Sequence, residues 1–157
     1  LWVRLFTDPE GWAQEAQREA TRAISIFERE ADERGLAKAW SLLGLFYLTT
    51  CQFHAAGEAW ERAAAHAHTA GDEREQFEAL SWVPLTVWAG PTPVNEGIQR
   101  CRSIVDRSEG DRKALSTALA TWGAFEAMQG RFDEARELTG RARATLEEIA
   151  LPVWLAG

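Results

Sequence analysis

The sequence of 157 residues matches itself when it is shifted by about 40 positions. Large apolar residues and small residues each return at fixed places in successive units. The aligned columns are Trp40, Leu80 and Leu119; Leu43, Val83 and Trp122; Gly44, Pro84 and Gly123; Ala16, Ala56, Gly97 and Ala135; and Ala23, Ala63, Ile104 and Ala142. A period of this length is typical of arrays in which each unit is one supersecondary element that buries its apolar face against its neighbours.

Each unit contains two stretches with helical spacing. One face of a first helix is formed at i, i+3, i+4 and i+7 by Trp40, Leu43, Gly44 and Tyr47. The same spacing continues on a second helix at Phe53, Ala56, Trp60, Ala63 and Ala67. A turn position recurs between units at Ala31, Gly71 and Gly110. At Gly71, the glycine suits the left-handed residue that follows a helix.

The third unit carries a proline where the others carry glycine. Phe77, Leu80 and Val83 keep helical spacing up to this point, so we predict one helix spanning about Glu73 to Ala89. Pro84 removes the hydrogen bond to the carbonyl of Leu80, and we expect a bend there. Since no stretch alternates with a period of two, the sequence predicts an all-α fold without a sheet.

Charge and composition exclude several classes of protein. Asp and Glu outnumber Lys and Arg by 24 to 17, and the net charge of −7 argues against nucleic-acid binding. No apolar run approaches the about 18 residues that a membrane span needs. The two cysteines, Cys51 and Cys101, have no metal-ligand spacing, and we expect reduced, buried thiols in a cytoplasmic protein.

Residues that could carry catalysis are not grouped in any known pattern. The sequence has no phosphate-binding glycine loop, no nucleophile elbow and no zinc-protease motif. His66 and His68 point about 200° apart on a helix, so they cannot ligate one metal ion together. The acidic clusters read as solvated helix faces. We therefore predict no catalytic, metal or cofactor residues in the chain, and we place Cys101 in the core.

The repeat resembles a known family. Ala39-Trp40-x-x-Leu43-Gly44-x-x-Tyr47, followed by Phe53-x-x-Ala56-x-x-x-Trp60-x-x-Ala63, is similar to the tetratricopeptide (TPR) pattern. The last unit repeats it with Leu119-x-x-Trp122-Gly123 and Gly130-Arg131-Phe132-Asp133-Glu134-Ala135. The resemblance implies a right-handed α-solenoid of helix–turn–helix repeats. The chain departs from the pattern in its longer period, in Pro84, and in Glu126, which replaces the Tyr47-type aromatic.

Two loop phrases narrow the resemblance. Gly90-Pro91-Thr92-Pro93-Val94 and Gly130-Arg131-Phe132-Asp133-Glu134-Ala135-Arg136 are similar to the helical repeats of large bacterial signalling ATPases that carry an adenylate/guanylate cyclase domain. Related transcription regulators with an NTPase domain, including maltose-activator-type proteins, have similar arrays. The resemblance implies that a full-length parent could be a nucleotide cyclase or ATPase, with its catalytic residues outside this segment.

The repeat divides the chain into units with approximate boundaries. We predict a single TPR-like domain, cut from a longer protein, with a partial unit at 1–35, full units at 36–71, 72–110 and 111–150, and the start of the next at 151–157. Trp2 and Trp154 lie near the two ends, where further repeats would cover them. Uncapped ends would leave apolar surface in water and favour self-association.

The resemblance also implies which residues face the concave side of such an array. In TPR-like stacks the first helix of each unit lines this side. The candidate groove residues are Ser41, Leu45, Leu48, Thr49, Ser81, Leu85, Trp88, Ala124 and Met128. We expect this lining to be apolar and uncharged, with no Lys or Arg to grip a carboxylate.

The predicted function is that of a non-catalytic interaction scaffold in a bacterial signalling or regulatory protein. An apolar groove suits a protein or peptide partner, or another segment of the same long protein. The alternative is a ligand-sensing module that binds a peptide or a sugar in the groove. A sugar site needs several aimed hydrogen-bond groups near an aromatic platform, and among the predicted groove residues only Trp88 offers the platform.

Overall fold

The computed structural model describes the backbone of residues 9–108 and 110–148, and the side chains from Gln14 onward within those ranges. This part of the chain is all helical and contains no strand, which confirms the all-α prediction. The helices are α1 (Pro9–Glu30), α2 (Glu33–Thr49), α3 (Phe53–Thr69), α4 (Glu73–Ala89), α5 (Val94–Arg107), α6 (Arg112–Met128) and α7 (Phe132–Glu148). The chain divides into two compact units between Ala79 and Leu80.

Four helices end in the same way. The first residue beyond the turn donates its N–H to the carbonyl of the residue five positions earlier, which the helix would otherwise leave unpaired. These bonds are Asp32 to Phe27 (3.0 Å), Gln52 to Tyr47 (2.8 Å), Asp72 to Ala67 (2.9 Å) and Arg131 to Glu126 (3.0 Å). The residue before each donor has positive φ: Ala31 (53°), Cys51 (58°), Gly71 (66°) and Gly130 (78°). The left-handed position predicted at Gly71 is confirmed.

Aspartate side chains cap the first turn of three helices, and at α4 the carboxylate of Asp72 accepts from the N–H of Glu75 at 3.2 Å. A carboxylate oxygen of Asp32 accepts from the N–H of Gly35 at 3.0 Å, and Asp111 accepts from Ala114 at 2.7 Å. These bonds satisfy N–H groups that have no partner inside the helix. Asp32 and Asp72 also donate the backbone bonds that close the preceding helices, so α1–α2 and α3–α4 are joined by very short connections.

In the first unit, α1 packs against α2 and α2 packs against α3. The space between α2 and α3 is filled by Trp60, which is 2% exposed. A Cβ atom on Gly44 would lie 2.8 Å from Cε2 of the Trp60 ring, closer than side-chain atoms approach each other. The close approach of these helices therefore requires glycine at position 44, as the repeat pattern predicts.

In the second unit, α5 packs against α6 and α6 packs against α7. Gly123, in the same repeat column as Gly44, lies against α7. A Cβ atom there would come within 2.9 Å of the Thr139 methyl group and 3.1 Å of the carbonyl oxygen of Ala135. Leu119, Leu138 and Ala142 form the core of this hairpin.

Among the described side chains, nearly all residues of the repeat columns are buried. All members are buried except three, which are half-buried: Ala23, Trp40 and Trp122. The guanidinium of Arg62 covers the ring of Trp40 at 4.6 Å, and that of Arg102 covers Trp122 at 4.7 Å. Both tryptophans therefore carry a cation on the side that the core leaves open.

The cysteines differ from the prediction that both are buried. Cys101 is buried, as predicted, and burial raises the pKa of its thiol from 9.0 to about 12, so the thiol stays protonated at neutral pH. Cys51 is exposed, which corrects the prediction for that residue. It occupies the left-handed turn position after α2. Both thiols are free.

The helix predicted from Glu73 to Ala89 is confirmed as α4, and Pro84 lies inside it. The bend at Pro84 stays a prediction. Trp2, Trp154 and the unit start at 151–157 lie outside the described residues, as does the side chain of Trp12.

Candidate binding site

A pocket of about 290 Å³ opens in the second unit. Its walls come from the C-terminal half of α4 and from α6. The lining residues are Ser81, Trp82, Pro84, Leu85, Trp88, Lys113, Thr117, Ala120 and Thr121. On each helix these positions recur at intervals of three and four residues, so one face of α4 and one face of α6 form the pocket.

Trp88 forms part of the wall and remains 47% exposed. Its ring centroid lies 5.4 Å from that of Phe125, at an interplanar angle of 58°. This is a tilted aromatic pair at favourable separation. Phe125 is itself buried, with Gly97 of α5 directly beneath its ring. Trp88 is thus supported on one side by the core and open on the other.

Lys113 is the one charged residue in the pocket lining. Its Nζ lies 5.8 Å from the centroid of the Trp82 ring, which also lines the pocket. Lys113 was not among the predicted groove residues, and the uncharged lining of that groove stays a prediction. The predicted groove residues of α6 are Ala124 and Met128, whereas the pocket is lined by residues earlier in that helix, from Lys113 to Thr121.

The structure brings three of the predicted groove residues together in this pocket. Ser81 is buried, and Leu85 and Trp88 are 44% and 47% exposed. Ala124 and Met128 lie on α6 but do not line the pocket; Ala124 is half-buried and Met128 is 62% exposed. A binding role for these residues stays a prediction.

The remaining predicted groove residues belong to α2 in the first unit. The hydroxyl of Ser41 donates to Oε1 of Glu75 at 2.9 Å, and that of Thr49 donates to the carbonyl of Phe46 at 2.9 Å. Leu45 and Leu48 are half-buried. Both hydroxyl donors are thus engaged within the unit, and a surface shared by Leu45 and Leu48 with Trp88 stays a prediction.

Sequence reasoning missed a buried carboxylate in α6. The side chain of Glu126 is 3% exposed and accepts a bond from Nε1 of Trp122 at 2.6 Å. Arg131, in the turn before α7, binds the other carboxylate oxygen through its guanidinium. Arg102 of α5 lies 4.0 Å away. The replacement of an aromatic residue by Glu126 in the repeat was the signal that could have found this cluster.

The histidines bind polar neighbours within the first unit. Nδ1 of His66 lies 2.7 Å from Oε2 of Glu33, and Nδ1 of His68 lies 3.2 Å from Oε1 of Gln76. The two side chains thus have separate partners. Among the described residues, no group of three or more His, Cys, Asp or Glu side chains could hold a metal ion. In that same part of the chain no helix has the length and apolarity to cross a bilayer.

Compared with protein-family models, with curated proteins and with solved structures, the chain shows no match. The resemblance to TPR arrays therefore stays a prediction from the sequence.

Proposed function

We propose that this chain is a non-catalytic interaction module, a right-handed α-solenoid of TPR-like hairpins within a bacterial signalling or regulatory protein. The burial of equivalent columns supports the repeat register. The close contacts at Gly44 and Gly123 support it independently, because both glycines stand in one column and both lie against the following helix. The short connections that precede the two hairpins, capped by Asp32 before α2 and by Asp111 before α6, are compatible with a stack of such hairpins.

The observation that carries the interaction function is an exposed set of large apolar side chains. Among the described residues, the exposed large hydrophobics are Leu85, Trp88, Met128 and Phe132. The resemblance to TPR arrays predicts a concave-face position for Leu85, Trp88 and Met128. Leu85 and Trp88 line the same pocket, and exposed apolar side chains that adjoin one another are typical of surfaces that bind another protein. Trp88, supported from below by Phe125, is suited to be the central anchor.

In the proposed role, the module binds another part of its parent protein or a separate regulatory protein. Binding at the apolar face would be transmitted to an NTPase domain and to a cyclase or DNA-binding domain. This segment would bind the partner, and other domains of the parent protein would carry out catalysis.

The test combines a binding assay with a melt of the same variants. We expect Trp88→Ala to cost about 2 kcal/mol or more of binding energy, since interface energy concentrates in central aromatics. The fold should change little, because nearly half of the side chain is already in water. Binding is measured by pull-down of the domains encoded beside this segment, supplied as separate proteins.

Phe132→Ala is the matched control, because Phe132 is 61% exposed but lies on α7, outside the predicted concave face. It should leave binding intact. If Trp88→Ala loses stability and keeps binding, Trp88 is a core residue and the proposed interaction face is wrong.

The pocket beside Trp88 favours a second candidate function, ligand sensing. A cavity of about 290 Å³ is close to the lower limit of about 300 Å³ for small-molecule sites. A peptide side chain or a sugar ring would fit within it. Under this alternative a ligand occupies the pocket and alters the apolar face next to it. A peptide or sugar that changes the tryptophan fluorescence of the wild-type chain, but not of Trp88→Ala, would favour sensing over scaffolding.

A further inference from the structure

We infer that the pocket between α4 and α6 binds an uncharged, compact hydrophobic molecule, with one or two rings and no more than one polar group. The inference rests on the second candidate function, ligand sensing, and it names the chemical class of the ligand. Three properties of the pocket carry it: its volume, its apolar walls, and the partners that its polar side chains already have.

The volume sets the size of the ligand. An apolar cavity of about 150 Å³ binds benzene, and this pocket has about 290 Å³. It therefore has room for one ring with a short substituent, or for two fused rings. A nucleotide, or the whole face of a partner helix, is too large for it.

The walls of the pocket favour an apolar ring. The α4 wall consists of Trp82, Pro84, Leu85 and Trp88. Indole rings pair with other rings in offset-stacked or tilted arrangements, so they suit a ligand with a ring of its own. On α6 the wall includes Ala120, which is exposed and has a side chain of one carbon. A larger residue at that position would take up space that the ligand needs.

The polar groups of the lining disfavour an ionic ligand. Nζ of Lys113 lies 5.8 Å from the centroid of the Trp82 ring. Lys113, Trp82 and Ser81 each make at least one further interaction within the chain. A ligand anion would therefore have to compete with interactions that the ammonium already makes. A ligand cation would have no carboxylate to pair with, because the described residues that line the pocket include no Asp or Glu.

The hydroxyl groups of the lining favour the same class of ligand. Thr117 donates to the carbonyl of Ala114 at 3.0 Å, so its proton is already used inside α6. Ser81 is buried. Thr121, which is half-buried, remains to bond one polar group of a ligand. A sugar needs several donors and acceptors aimed at its hydroxyls, so it suits this pocket less well than a molecule with one hydroxyl or none.

The experiment is a titration of the full chain with three compounds that share a phenyl ring and differ in charge: phenylethanol, phenylacetate and phenylethylamine. Binding is followed by NMR through the indole N–H signals of Trp82 and Trp88. We expect the alcohol to bind about tenfold more tightly than either ion, because the ions give up hydration that the pocket does not replace.

A pair of variants tests the location of the site. Ala120→Leu should fill space in the pocket and weaken the binding of phenylethanol by about tenfold or more. Ala144→Leu is the matched control, because it makes the same change at an exposed position of α7, outside the pocket lining. It should leave binding unchanged. Thermal melts of the two variants should agree, since both positions are exposed.

Each other outcome overturns a defined part of the proposal. If phenylacetate or phenylethylamine binds as tightly as phenylethanol, the inference is refuted and ligand sensing stands, and this comparison needs no variant to fold. Binding of maltose in place of phenylethanol would assign the pocket to a sugar. Undiminished binding of phenylethanol to Ala120→Leu would place the ligand outside this pocket and refute the inference. If none of the four compounds binds at millimolar concentration, the inference and the sensing function both fall. The scaffold function is decided separately by the Trp88 pull-down.

Discussion

The hairpins α2–α3 and α6–α7 share one repeat register but have different interiors. In the first, Gly44 lies against the buried ring of Trp60. In the second, Gly123 lies against Thr139, which stands four residues after Ala135 just as Trp60 stands four residues after Ala56. The buried ring of Trp60 therefore packs against the glycine in the first hairpin, and the exposed Thr139 packs against it in the second.

A second difference concerns the position three residues after the glycine. The first hairpin has Tyr47 there, half-buried and 5.2 Å from the ring of Phe46. The second has Glu126, whose buried carboxylate is held by Trp122 and Arg131. The comparison teaches that the register is set by small residues where helices touch. The residues around that contact can change from aromatic to ionic, provided that a buried charge finds partners.

The largest expected effect comes from removing the ring that fills the first hairpin. Trp60→Ala should destabilise the chain by about 3–5 kcal/mol, because it leaves a cavity the size of an indole in a closely packed interior. Thr139→Ala, the matched change in the second hairpin, should cost about 1 kcal/mol, since this exposed residue loses one methyl group against Gly123 and one hydroxyl with its bond to Ala135. Chemical denaturation of both variants measures the difference. Equal losses of unfolding free energy would contradict the account that a large buried ring fills the contact in the first hairpin and an exposed threonine occupies it in the second.

An intermediate effect is expected in the second hairpin when the buried carboxylate loses its main partner. Arg131→Ala should cost about 2–3 kcal/mol, because it leaves Glu126 buried with a weaker set of partners. The control is Arg136→Ala, which breaks an ion pair with Asp133 in which both side chains are largely exposed. That pair should be worth less than about 0.5 kcal/mol.

A further variant isolates the cause of the Arg131 effect. In a Glu126→Leu background, Arg131→Ala should cost little, because no buried charge remains to be stranded. The account of the ionic interior is wrong if Arg131→Ala costs no more than Arg136→Ala, or if its cost is unchanged in the Glu126→Leu background.

The smallest expected effect is at the helix ends, where turns with the same hydrogen-bond pattern use different residues. Ala31 of the first unit has φ 53° and Gly130 of the second has φ 78°, although in the repeat register Ala31 corresponds to Gly110 and Gly130 corresponds to Cys51. A left-handed conformation costs a residue with a Cβ atom about 1–2 kcal/mol. Ala31→Gly should therefore stabilise the chain by about 1 kcal/mol, and Gly130→Ala should destabilise it by a similar amount. Thermal melts of the two variants should shift in opposite directions.

Much of the helical framework could be predicted from the sequence, because helical periodicity and turn glycines are local signals. The span of α4 and the close contact at Gly44 follow from such signals. The exposure of Cys51 and the cluster around Glu126 do not. The exposure of Cys51 depends on its position in a turn. The cluster around Glu126 depends on Arg102 and Arg131, which are distant from one another in sequence.

The candidate site shows the same limit. The resemblance to TPR arrays implied that Ser81, Leu85 and Trp88 share one face, and the structure adds Lys113 to them. That addition depends on how α4 and α6 are placed side by side. Repeat columns alone carry no information about which residues of one helix face a particular turn of another.

The central claim is that one repeat register specifies the helix contacts, and Ala56→Leu tests it most directly. Ala56 is fully buried on α3, and a larger side chain there cannot be accepted without movement of the backbone. The matched control is Ala65→Leu on the same helix, where the side chain is exposed. Urea unfolding should show a loss of about 1–3 kcal/mol for Ala56→Leu and less than about 0.5 kcal/mol for Ala65→Leu. An unfolding curve for Ala56→Leu that coincides with that of the unsubstituted chain would contradict the register.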